Sequence, residues 1–399
     1  MRLTQREAVA VFEDYIMGKY SVHGSAEFDA LIDAHMKRIA EVVYASIYSK
    51  HWKALVLFGG YGRGEGTPMI QGSGVRSQGS GVGGQGSDVE QPFNDYGFLV
   101  VTHSIDPLIK RSLKKMEARL SEELGLLVVL RPTLKRSLKR RDFTLSNYEM
   151  KLGHRVIRGN ENILSNMPDY PPDQIPLSEG TRLLMNRGKR LLEIKMRMSS
   201  GKPLTHEEHF LFIKYIFKAH LAFGDCALLL RGAYDISTAV RKERIREIDL
   251  NGLPDGRGMA EDYRRAIDFK DRAFFQPLET VNLHVWFDET ARRFEEVFLW
   301  HERRRLNRKF RTPKKYAHGF PNLGNEGSAL KNAAQNLRTF GPLGPSTLFT
   351  HPRLRLYAAL PLLLAPHADQ DEIRWILRSR QSSLEGLYEA FEALHRKFS

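Results

Sequence analysis

Apolar positions follow two different rhythms along the chain. In the first part, Phe28, Leu31, Ile32, Met36, Ile39 and Val43 recur at helical spacing and predict an amphipathic helix over 26–49. Three short unbroken apolar runs follow, Ala54-Leu-Val-Leu-Phe58, Phe98-Leu-Val-Val101 and Leu126-Leu-Val-Val-Leu130. Such runs, rich in β-branched residues and bounded by glycine or proline, predict buried strands. Between the last two, Leu108, Leu113, Met116 and Leu120 predict a helix over 107–124. Thr4 and Glu7 have the spacing of a capping box and predict a further helix at the start. Past Pro168, Pro171, Pro172 and Pro176 the rhythm is helical alone, over 181–198, 206–231, 260–273, 278–308 and 371–398. The reading is an α+β chain: an α/β domain over 1–165, a proline-rich linker over 166–180, and an all-α domain over 181–399.

Composition narrows the classes of function. No stretch approaches the run of apolar residues that a membrane span requires, and the start is charged on both signs, so the expectation is a cytoplasmic protein with no membrane partner. A single cysteine, Cys226, excludes an internal disulfide framework and any multi-thiolate metal centre. Lys and Arg exceed Asp and Glu by 14, which favours anionic partners without naming one. Glycine is concentrated: 12 of 32 fall between Gly59 and Gly86. From Gln71 the units Gln-Gly-Ser-Gly-Val repeat with a period of seven and no apolar seam, so 67–91 is expected to be a flexible loop.

The glycines before that repeat have a different setting. Leu57-Phe-Gly-Gly-Tyr-Gly-Arg-Gly-Glu-Gly66 follows a predicted strand, where glycine lets backbone amides approach phosphate oxygens. Neither a P-loop nor a dinucleotide-binding fingerprint has this spacing. The plainer alternative is that these glycines only begin the flexible insertion. Downstream, Asn94-Asp95-Tyr96 places a carboxylate at the start of the next buried strand. The strand, glycine pair, turn with Arg63 and Glu65, and Asn94-Asp95 ahead of a strand together resemble the nucleotidyltransferases of the DNA polymerase β superfamily. Asn147 to Gly159 and several blocks of the helical half extend the resemblance over most of the chain.

The resemblance implies an N-terminal mixed-sheet nucleotidyltransferase domain followed by a helical domain. It implies that Gly59, Gly60, Tyr61 and Arg63 hold a nucleoside triphosphate, with ATP the expected one, and that Asp95 binds Mg²⁺ as the catalytic carboxylate. It also implies that the helical domain supplies Lys218 to the nucleotide and Asp225 to the acceptor side. These two residues are seven apart and share a helix face; the alternative is that both merely flank a packed helix in solvent. The sequence departs from the pattern where the metal would be held. Gly97 stands where the family has its second aspartate and Val129 where it has its third, leaving Asp88 and Glu90 as the nearest other acids. One carboxylate alone binds Mg²⁺ weakly. Two functions therefore stand side by side: nucleotidyl transfer to a hydroxyl of a small molecule or RNA, or a catalytically dead pseudoenzyme that senses nucleotide or binds RNA through basic faces.

Other signals are weaker. His206 and His209 sit at a helix start where Thr205 and Glu208 read as a capping pair rather than a metal site. Two basic stretches, 110–141 with eleven Lys/Arg and 303–315 with eight, are either solvated faces or a track for phosphates. The part of the first from Arg131 to Arg141 flanks the strand that lacks its acid, which would bring a guanidinium to the place of a metal cation.

Overall fold

The computed structural model describes residues 19–46, 51–70, 90–274, 281–324 and 327–398. Two compact units divide the chain. The first comprises Met1–Ile175 with Asp235–Val240 and Ile267–Glu279, and the second comprises Pro176–Tyr234, Arg241–Ala266 and Thr280–Ser399. The predicted helix at Thr4 and the heptad repeat from Gln71 lie outside the described residues.

The first unit is built on a four-stranded mixed sheet of order β5-β4-β1-β6, with β1 Trp52–Phe58, β4 Tyr96–Thr102, β5 Val128–Leu134 and β6 Arg155–Gly159. β4 and β6 run antiparallel to β1, whereas β5 runs parallel to β4. Helix α1, Ala26–Ala45, is capped by Ser25 and buries Phe28, Ile32, Met36, Ile39 and Val43. Parallel neighbours need a crossover, and α2, Pro107–Leu124, supplies it. Its ends are fixed by Asp106, whose carboxylate accepts from the Ile109 amide, and by Gly125 in the left-handed conformation. Leu113, Met116 and Leu120 of α2 join the buried residues of α1 to cover one face of the sheet, where Leu55, Leu57, Phe98, Val100 and Leu130 point. The opposite face carries Val56, Leu99 and Val101, which are fully buried too, so the strands read as unbroken apolar runs. A short helix, α3 (Leu145–Leu152), precedes β6 and is capped by Thr144.

Sequence expectation and structure part company at the sheet's margins. β6 contributes two apolar residues and is an edge strand of intermediate to full exposure, so it lacks the run that marked the others. The predicted loop over 67–91 is paired at its base: β2, Pro68–Ile70, runs antiparallel to β3, Glu90–Pro92. The proline-rich segment is tied down by Lys151, whose ammonium donates to the carbonyls of Met167 and Pro168, and by Tyr170, which donates to the Arg141 carbonyl.

The second unit is helical. Helices α4 (Ser178–Ser199), α5 (His206–Leu230) and α8 (Leu283–Leu306) pack on one another, and α10 (Arg353–Leu364) packs against α4 and α8. Further helices are α6 (Thr238–Glu247) and α7 (Gly256–Asp271), each partly in the first unit, and α9 (Ala329–Phe340), α11 (Gln370–Leu377) and α12 (Leu384–Phe398). The single helix expected over 371–398 is broken by Arg378, which adopts φ 55°. Every residue of α10 from Leu354 to Leu364 is buried, which erases the one-sided pattern that reveals a helix in sequence. Among the described residues no helix is long and apolar enough to cross a membrane.

Candidate functional site

The glycine turn is set by the end of β1. After Phe58, Gly59 takes φ 81°, a region that disfavours side chains, and one helical turn, Gly60–Arg63, follows. The turn is closed by bonds from the Arg63 amide to the Gly59 carbonyl (3.1 Å) and from the Glu65 amide to the Gly60 carbonyl (2.8 Å). The amides of Gly60 and Tyr61 precede these bonds, in the position where a helix start has donors for an external acceptor. Phe58 pairs with Gly97, so the turn leaves the sheet at the end where Asp95 enters it. The structure therefore brings Gly59, Gly60 and the exposed Asp95 to one end of the sheet.

Tyr61 and Arg63 turn inward instead. Tyr61 is 2% exposed; its hydroxyl donates to the Thr67 carbonyl (3.2 Å) and accepts from the Asn94 amide (3.4 Å), and its ring meets Tyr96 edge-on. Burial pushes its hydroxyl pKa up, so it remains protonated. Tyr61 thus fastens the turn to the Asn94-Asp95 segment. Asn94 reinforces the link by donating to the Thr67 hydroxyl at 2.8 Å. The Arg63 side chain is 9% exposed and lies between two carboxylates, Glu65 at 3.3 Å and Glu149 at 3.5 Å. Glu65 also accepts from the Thr238 amide (2.7 Å) and faces the Lys270 ammonium (3.4 Å). Arg63, expected on the nucleotide, is held inside the unit between these two acids. The Arg63/Glu65 pair was visible in sequence, but Glu149 and Lys270 come from distant segments and gave no sign.

The positions at which the resemblance implies acids carry other residues. Phe58, Gly97 and Val129 form one row across three strands, and Val56, Leu99 and Arg131 form the next. A Cβ on Gly97 would lie 2.8 Å from two ring carbons of Phe58, so that ring occupies the space of a side chain. The Arg131 guanidinium lies over the same ring, 4.9 Å from its centre. Glu90 is engaged elsewhere: one carboxylate oxygen accepts from the Ser25 amide at 2.7 Å and the other faces Arg272 at 3.7 Å. Asp88 lies outside the described residues. Among the described residues no group of three or more acids, histidines or cysteines could hold a metal. The described residues therefore do not fit the Mg²⁺ site that the resemblance implies, and no step is routed through that ion.

Lys218 and Asp225 both lie on α5 in the second unit. Asp225 is 9% exposed and accepts from Arg241 (2.5 Å) and from the Tyr263 hydroxyl (2.7 Å). That buried network departs from both expectations, the acceptor-side carboxylate and the solvated helix flank. Thr205 and Glu208 form the expected capping box at the start of α5. In the stretch 303–315, Arg304 donates to the Asn251 carbonyl and stacks on Trp300, Arg305 pairs with Glu302, and Lys314 pairs with Asp369, while Arg308, Lys309, Arg311 and Lys315 are exposed. Compared with family models, curated proteins and solved structures, the chain gives no match.

Proposed function

We propose that this chain binds a nucleoside triphosphate, with ATP the expected one, at the Gly59–Gly60 end of the sheet, and that it does not carry out two-metal nucleotidyl transfer. It is then a pseudoenzyme of the superfamily it resembles, acting as a nucleotide sensor. The glycine turn supplies amide donors for phosphate oxygens at a helix start. The observation that carries the rest is the row Phe58, Gly97 and Val129: an aromatic ring and an aliphatic side chain stand where paired carboxylates would chelate two ions. Asp95 alone leaves a divalent ion with most of its water.

A second reading, RNA binding, is favoured by the run from Arg131 to Arg141, which contains six Lys/Arg and no acid. Radiolabelled ATP incubated with Mg²⁺ or Mn²⁺ and candidate hydroxyl acceptors tests the absence of transfer. The expected result is no released pyrophosphate above background, and the same background for Asp95→Ala. Metal-dependent release that Asp95→Ala abolishes would return the chain to the active nucleotidyltransferases.

A further inference from the structure

Three cations along α1 and α2 are paired with acids: Lys114 with Glu117 at 3.0 Å, Arg119 with Glu123 at 3.9 Å, and Arg38 with Glu123 at 2.5 Å. From Gly125 to Arg141 there is no acid in the sequence. Among the described residues neither Arg131 nor Arg141 forms an ion pair.

These two arginines share one face of the edge strand β5. Arg131 and Thr133 are two apart and point to the same side. Arg141 reaches that side from beyond the strand: one guanidinium nitrogen donates to the Thr133 hydroxyl and another to the Asn147 side-chain carbonyl, both at 3.1 Å. Each guanidinium is held by neutral groups, the Phe58 ring for Arg131 and the hydroxyl and amide for Arg141. Each keeps further N–H donors for which the described residues supply no acceptor. Burial disfavours the charge on Arg141; Tyr170 partly opposes this and the nearby Arg131 charge adds to it.

We propose that Arg131 and Arg141 form a phosphate-binding subsite that holds one phosphate group of the ligand without a divalent ion. Forked donors match phosphate oxygens, and two positive groups on one face are relieved by a dianion between them. As a nucleotide subsite it rests on the function proposed above; as a phosphate subsite it does not, because an RNA backbone offers the same chemistry. A purely protective role, a charged edge strand that resists pairing with other chains, would give no saturable phosphate binding.

Calorimetric titration of the full chain in EDTA, with pyrophosphate, ATP and a short single-stranded oligoribonucleotide in turn, tests the subsite. The variants are Arg131→Ala, Arg131→Lys and, as a control for charge on the same basic run, Arg136→Ala. Saturable binding of pyrophosphate and ATP is expected, weakened about tenfold by Arg131→Ala, less by Arg131→Lys, and no more than about twofold by Arg136→Ala. ATP binding that Arg131→Ala leaves intact overturns the subsite while the nucleotide reading stands. Equal losses from Arg131→Ala and Arg136→Ala also overturn it, since general surface charge then explains the binding. Arg131-dependent binding of the oligoribonucleotide without binding of ATP keeps the subsite and overturns the nucleotide reading. Binding of none of the three overturns both. Arg131 is exposed, and Arg131→Lys keeps the charge, so the comparison does not depend on a core residue.

Discussion

Replacing Gly97 by aspartate is expected to destabilise the first unit by about 3 kcal/mol and to create no Mg²⁺ affinity. The added Cβ would fall 2.8 Å from the Phe58 ring, so either the ring or β4 must shift. Overpacking of a tight site costs about 1–3 kcal/mol, and the new carboxylate would enter a buried position of the sheet. Arg131, over the same ring, would take that carboxylate into an ion pair rather than leave it to a metal. Urea unfolding monitored by circular dichroism gives the first number, and calorimetry with Mg²⁺ gives the second. Adding Phe58→Ala opens the space and is expected to recover part of the loss. A variant as stable as the parent that binds Mg²⁺ would show that the row accommodates a carboxylate, and the aromatic ring would then not be what keeps metal out.

Arg63→Met is expected to cost a similar amount, about 3 kcal/mol, while changing ATP affinity by less than about threefold. Removal of one partner from a buried ion pair strands the other charge, and here Glu65 and Glu149 both lose their guanidinium. Lys270 still faces Glu65, and Glu149 is the more exposed of the two acids, which keeps the cost at the lower end of the range. A phosphate-binding arginine would behave in the reverse way, with stability kept and affinity lost. The two quantities, measured on the same preparation, decide between strut and ligand.

How much of this was legible depended on how local each signal was. Helix α2 matched its expected span at both ends because the apolar spacing and both cap residues, Asp106 and Gly125, lie within the segment itself. Helix α1 follows its expected course over Ala26–Ala45, where the face from Phe28 to Val43 is buried; residues 47–49 of the expected span lie outside the described residues. Helix α6, with its high charge and few apolar residues, and the uniformly buried α10 lacked the periodic contrast that reveals a helix. At the site, the meeting of Gly59, Gly60 and Asp95 could be read from the order of turn and strand. The inward turn of Tyr61 and Arg63 could not, since their partners Thr67, Asn94 and Glu149 are defined only by the fold. The overlap of Phe58 with Gly97 was equally hidden, because it follows from strand register. The basic run at Arg131 was visible as charge, whereas the absence of ion pairs to Arg131 and Arg141 among the described residues required the neighbours to be known.

The glycine turn, the aromatic row and the two arginines support one proposal: phosphate is held by backbone amides and guanidinium groups, without chelated metal. The affinity of the full chain for ATP, measured by calorimetry in EDTA and again in excess Mg²⁺, tests it most directly. Binding no tighter in Mg²⁺ than in EDTA is the predicted result, because the arginines meet the free phosphate charge that Mg²⁺ would otherwise neutralise. Binding at least about tenfold tighter in Mg²⁺ would contradict it and show that a metal site forms with the nucleotide.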